Sequence, residues 1–157
     1  MTYLLTLKLI HVLGATVLFG TGLGIAFFMW MAHRTRDAAA IAHTAGIVVV
    51  ADAVFTASAV IVQPVSGAFL ALALGYTLWE PWIVASLALY GLVGACWLPV
   101  VWIQARMRDL ARQAAQTGTE LPARYHRLFR IWFVLGWPAF IGVIAIFVLM
   151  IFRPALW

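Results

Sequence analysis

The sequence predicts an all-α integral membrane protein built as a bundle of four transmembrane helices. Apolar residues make up 66% of the 157 residues and charged residues only 10%, whereas soluble domains carry about 25% charged residues. A helix needs about 20 apolar residues to cross a bilayer. Four windows meet that length, at residues 3–31, 44–72, 82–105 and 131–152. We therefore expect one transmembrane domain that comprises residues 1–157.

The first window carries two ionisable residues inside its apolar run. They are Lys8, the single lysine of the chain, and His11. An ionisable side chain within a membrane span is costly and marks a functional-site hypothesis. Residues three apart also share a helical face. No basic region or small-residue cleavage site precedes this window, so we expect it to stay in the protein as a span.

The second window carries a stripe of polar and small residues. The short basic connection before it lets the second helix start as early as Ala38, and Pro64 predicts a kink. Spacings of four, three, four and three place five residues on one face: Asp52, Thr56, Ala59, Gln63 and Ser66. We expect this face to point into the bundle, with His43 on the opposite face.

The third and fourth helices have clear start and stop signals. Pro81 suits the first turn of the third helix, and Thr117-Gly118 predicts its end. Pro122 opens the fourth helix. Residues 106–130 are then a helical extension and loop outside the membrane.

Basic residues predict the orientation. Arg34 and Arg36 lie on the same side as six arginines between residues 106 and 130, whereas the other side has Arg153 alone near a membrane end. The positive-inside rule then places both termini outside and the basic connections in the cytoplasm. Because the basic residues flank apolar runs, the net charge of +5 indicates membrane anchoring and not nucleic-acid binding.

Depth estimates place three ionisable residues near one level. At 1.5 Å per residue, His11 lies roughly 12 Å inside a core of about 30 Å, and Asp52 lies roughly 12–20 Å inside it from the other side. Lys8 lies roughly one turn nearer the outside than His11. Each has a simpler interpretation. Lys8 can extend to the headgroups, Asp52 can be its structural partner, and His11 can hydrogen-bond across helices.

The functional hypothesis centres on His11. A buried neutral imidazole in a four-helix bundle is a typical haem b ligand, and Asp52 is a candidate acceptor for its second nitrogen. Lys8 or Arg153 would pair with a haem propionate. No second histidine lies at the depth of His11, which argues against two histidine ligands within one subunit.

Three other sequence patterns are weaker evidence for a functional site. The glycines at 20, 22 and 24 follow no strand, so they do not indicate a nucleotide site, and Gly20 and Gly24 instead predict a close helix contact. Met29, Met31 and His33 alternate, so they cannot converge on copper from a continuous helix. The lone Cys96 forms no internal disulfide and has no zinc spacing.

Several of these residues resemble known families. Lys8-x-x-His11-Val12, the histidine at 33, the Arg127–Ile131 run and Arg153-Pro154 look like HemJ-type protoporphyrinogen oxidases. CopD-type copper-resistance proteins share the architecture. Almost the full chain resembles a family of bacterial four-span integral membrane proteins, which implies the bacterial inner (cytoplasmic) membrane.

The HemJ-type resemblance implies haem b binding and oxidation of protoporphyrinogen. It would give His11 the ligand role and Lys8 the basic-residue role. Two departures bear on the oxidase activity more than on the haem site. Phe27-Phe28 stands where those proteins have a Pro-Arg pair, and polar residues early in their last helix are replaced by Phe133, Val134 and Leu135.

We therefore expect a redox protein that binds haem b and acts as a HemJ-like oxidase. The expected cofactor-binding residues are His11, Lys8, Asp52 and Arg153, and His11 is the expected metal ligand. Two alternatives stay open. One is a structural or assembly subunit in which Lys8 and Asp52 form an ion pair, and the other is a CopD-like copper-handling protein. The expected partners are the lipid bilayer and either further copies of the chain or a larger membrane complex.

Overall fold

The computed structural model describes residues 1–156, and four long helices make up nearly all of it. They are α1 (Thr2–Thr35), α2 (Ala38–Ala73), α3 (Pro81–Thr117) and α4 (Ala123–Phe152). Each is long and apolar enough to cross a membrane. The 37 residues of α3 extend about 55 Å, well beyond a hydrocarbon core of about 30 Å. The predicted all-α membrane bundle is confirmed.

The ends of the helices lie where the sequence signals place them. The Asp37 carboxylate caps α2 by accepting hydrogen bonds from the Ala39 and Ala40 amides at 2.8 and 3.4 Å, a strong N-cap arrangement. α3 begins at Pro81 and ends at Gly118, whose φ of 64° is the left-handed conformation that favours glycine.

One segment of α2 departs from α-helical geometry. Asp52–Thr56 forms a π-helical segment in which the Ala57 amide donates to the Asp52 carbonyl, five residues back. The helix continues through Pro64. The kink predicted at Pro64 stays a prediction, and the π-helical segment about three turns earlier is of a type that is rare overall and frequent at functional sites.

The two ends of the bundle pack differently. We call the end with the connections at 36–37 and 118–122 the basic end, and the opposite end the terminal end. A large cluster of buried apolar side chains lies at the basic end, and it includes Ile25, Met29, Ile41, Ala45, Val48, Met107, Tyr125 and Trp132. The cluster at the terminal end has three buried members, Ala71, Trp82 and Ile83. Tight packing at the basic end thus fixes the helices that carry the polar sites.

The outer surface of the helices is apolar, as lipid contact requires. Large apolar side chains are exposed along all four helices, among them Leu9, Phe28, Ile61, Leu98 and Ile141. At the basic end, two arginines stack on tryptophans one turn before them. The guanidinium of Arg34 lies 5.1 Å from the ring centre of Trp30, and that of Arg106 lies 5.6 Å from Trp102. Such pairs are typical of a membrane–water interface.

Candidate functional site

Around His11, α1 is held against α2 by four contacts. Its Nδ1 lies 3.0 Å from the Ser66 hydroxyl, and its backbone carbonyl accepts a 2.8 Å hydrogen bond from the Gln63 amide. A Cβ atom built at Gly67 would lie 2.9 Å from Cε1 of His11, and one built at Gly14 would lie 2.7 Å from the Gln63 amide nitrogen. We call these five residues the His11 clasp.

The hydrogen bonds of Ser66 assign the tautomer of a neutral His11. The hydroxyl has one hydrogen, which it donates to the Val62 carbonyl at 2.6 Å. Ser66 therefore accepts from His11, and the proton of the neutral imidazole lies on Nδ1. The other ring nitrogen, Nε2, then carries a lone pair. Within residues 1–156 no protein group bonds to that nitrogen.

The orienting partner of His11 is a correction to the sequence prediction. We expected Asp52 to accept the hydrogen bond from the imidazole, and the structure has Ser66 there. Asp52 lies 14 residues earlier on α2, about 20 Å along the helix. Asp52 therefore does not belong to the His11 clasp.

Lys8 also lies away from Asp52, which the sequence predicted to be near it. Its side chain is exposed, while His11, one turn later, is half-buried against α2. In the described part of the chain the one ion pair joins Arg108 and Asp109 at 2.8 Å. The expected meeting of Lys8 with Asp52 thus does not occur, because the two face different surroundings. The position of Lys8 agrees with its simpler interpretation, extension to the headgroups.

Asp52 instead forms the centre of a second polar site that joins three helices. Its Oδ1 accepts from the Trp97 indole at 3.1 Å. Oriented to satisfy both of its neighbours, the Gln104 amide donates to Asp52 Oδ2 at 3.2 Å and accepts from the Trp132 indole at 3.1 Å. Asp52 is 3% exposed and Gln104 is 2% exposed. The site is therefore closed to solvent and lipid.

The polar stripe of α2 is confirmed. All five of its residues are buried (Asp52, Thr56, Ala59, Gln63 and Ser66), and His43 on the opposite face is exposed. The stripe supplies both sites, since Gln63 and Ser66 belong to the His11 clasp. Spacing alone did not show that Trp97, Gln104 and Trp132 meet Asp52. A glutamine inside the apolar run of α3 was the one available signal.

Aromatic side chains surround Arg153 near the terminal end. Its guanidinium donates to the Tyr76 hydroxyl at 2.7 Å and lies over the rings of Tyr76 and Trp82, at 5.3 and 5.6 Å from their centres. A further bond of 3.4 Å reaches the Met150 carbonyl. A guanidinium has five N–H donors, so Arg153 keeps donors for an anionic group.

His33 is half-buried at the basic end. Its Nδ1 lies 3.2 Å from the Tyr125 hydroxyl, and its ring stacks on Phe129 with 3.6 Å between ring centres. Its ring centre lies 5.9 Å from that of His126, which is exposed. His33 therefore belongs to an aromatic cluster at the basic end, far from His11 along α1.

Of two further sequence predictions, one is confirmed and one is wrong. Met29 is fully buried and Met31 is exposed, so the alternating residues do point apart as predicted. The predicted helix contact at Gly20 and Gly24 is not present, because a Cβ atom at Gly20 would meet no atom within 4 Å. The close approach occurs at the glycines of the His11 clasp. Within residues 1–156, no three His, Cys, Asp or Glu side chains lie together as a metal site.

Comparison with known proteins identifies the family. A family model described as "Predicted integral membrane protein (DUF2269)" matches residues 5–154. Searches of curated proteins and of solved structures found no match. The comparisons thus give no support to the HemJ-type or CopD-type resemblance. The matched region includes all of α2, α3 and α4 and nearly all of α1. The chain therefore belongs to the DUF2269 family of predicted integral membrane proteins.

Proposed function

We propose that the protein is a membrane-embedded redox protein that binds haem b through Nε2 of His11. The observation that supports this function is the state of the imidazole. A neutral His11 keeps its proton on Nδ1, where Ser66 accepts it, and its Nε2 has no bond to another group of the described chain. That is the form in which histidine binds a metal. Bound haem would supply one-electron chemistry.

The neighbouring residues suit this role. A metal-bound histidine usually donates its other N–H to an acceptor that orients the ring, and Ser66 is that acceptor here. Gln63 holds the α1 backbone at the same point. Lys8, exposed one turn earlier, offers an ammonium group to a propionate, and Arg153 keeps free donors for the same purpose. More specifically, we propose that the redox activity is that of a HemJ-like oxidase.

The other histidines of the chain lie away from His11. His33 lies in the aromatic cluster of the basic end, and His43 and His126 are exposed. His11 is therefore the one histidine of this bundle that would hold the haem. A second histidine would come from another copy of the chain, so the proposal includes a homo-oligomer as one arrangement of the loaded protein.

We also propose that the protein lies in the bacterial inner membrane with both termini outside. This orientation is supported by the arginines at the basic end, and by the two arginine–tryptophan pairs that lie there. It would place the basic end in the cytoplasm.

A second candidate function is that of a structural or assembly subunit. The observation that favours it is the His11 clasp itself, since two hydrogen bonds and two close glycine contacts join α1 to α2. The His11 clasp, and not an ion pair between Lys8 and Asp52, is thus the support for this alternative. The copper-handling alternative has no comparable support, because Met29 is fully buried in the apolar cluster.

Ser66 offers a test of the haem-binding function. In Ser66→Ala the imidazole loses its acceptor, and we expect the affinity for haem to fall about 10–100-fold, measured by haem titration of the purified protein. Ser58→Ala is the matched control, because Ser58 is exposed on the same helix and bonds only to its own backbone. Equal affinity in both variants would contradict the orienting role of Ser66.

A further inference from the structure

The carboxyl group of Asp52 is buried in the bundle without a cation. Its polar partners are the indole of Trp97 and the amide of Gln104, both of them neutral. Within residues 1–156 no lysine, arginine or histidine forms an ion pair or hydrogen bond with it. An uncompensated charge in such a place costs several kcal/mol. The site therefore requires a positive partner for the carboxylate, or a neutral carboxyl group.

Thr56 is a second buried polar residue of the π-helical segment. It lies at the other end of the π-helical segment, four residues after Asp52, and it is 5% exposed. Residues 53–55 between them are exposed, so Asp52 and Thr56 both turn into the bundle. The Thr56 hydroxyl is buried and has no hydrogen-bond partner, which is rare in native proteins.

We propose that Asp52 is a proton-binding site whose carboxyl group is protonated. The bound proton removes the buried charge that no cation of the described chain compensates. The two N–H donors then fill acceptor positions on the carboxyl oxygens.

No charged neighbour offers another source of neutralisation. α2 presents Thr56 to the site, α3 presents Trp97 and Gln104, and α4 presents Trp132 through Gln104. α1 also packs against the π-helical segment, and its residues 12–32 contain no titratable side chain. The proton is the one positive charge that this environment admits. This inference is independent of the haem proposal, since the two sites share no residue.

Infrared spectroscopy tests the protonation directly. The chain has three aspartates, and Asp37 and Asp109 are exposed. We expect the purified protein at neutral pH to show a carboxylic-acid C=O band that shifts when the aspartates carry a ¹³C-labelled carboxyl group. The band should be absent in Asp52→Asn and present in Asp37→Asn. A labelled wild-type protein with carboxylate bands alone would overturn the proposal, and this result needs no folded variant.

Discussion

The hydroxyl of Tyr90 on α3 donates a 2.5 Å hydrogen bond to the backbone carbonyl of Val60 on α2. Four residues after Val60 stands Pro64, which has no N–H to offer that carbonyl. A free carbonyl within a bilayer costs several kcal/mol. Tyr90 therefore satisfies the group that Pro64 leaves without a helical partner, and this explains why α2 continues through the proline.

Removal of this hydroxyl should destabilise the bundle. We expect Tyr90→Phe to lower the free energy of unfolding in detergent by about 1 kcal/mol. In a Pro64→Ala background the backbone of residue 64 regains its N–H, and the same change should cost less. A double-mutant cycle measures the difference. Equal costs in both backgrounds would contradict the link between Tyr90 and Pro64.

Gly67 should be essential to the His11 clasp. A Cβ atom there would lie 2.9 Å from the imidazole, so Gly67→Ala should displace the ring, destabilise the protein and abolish haem binding. Gly46→Ala is the matched control on the same helix, because its Cβ atom would meet no atom within 4 Å. The control should be neutral or slightly stabilising, since alanine is the better helix former. Unfolding curves and haem titration of both variants are the measurements, and identical behaviour would refute the clasp.

The orientation predicts the location of two reporter fusions. A reporter placed at Ala114, near the end of α3, should be cytoplasmic. One placed after Trp157, which lies outside the described residues, should be external. The arginines of the basic end are the reason. A cytoplasmic reporter at the C-terminus would reverse the orientation.

The sequence predicted the helices better than it predicted the contacts between them. The cap at Asp37, the start at Pro81 and the end at Gly118 depend on the local backbone, so they could be predicted from neighbouring residues. The buried stripe of α2 follows from the helical period. These features need no knowledge of where the other helices lie.

The partners across helices could not be predicted in the same way. Periodicity assigns a residue to a face, but the vertical register of one helix on another depends on packing. An error in register moved the expected partner of His11 from Ser66 to Asp52. It likewise left Trp97 and Gln104 unassigned, although both lie on a helix whose ends were placed correctly.

The absorption spectrum of the purified protein and of His11→Ala tests the central claim most directly. Expressed with excess haem precursor, the wild-type protein should show a Soret band and sharp reduced α and β bands. His11→Ala should remain inserted and folded but lose those bands, while the exposed control His43→Ala keeps them. If His11 only packs between helices, its loss should lower the free energy of unfolding by about 0.6–2 kcal/mol and leave the spectrum unchanged. A wild-type protein that never carries haem, or a His11→Ala spectrum identical to that of the wild type, would contradict the assignment of His11 as the haem ligand.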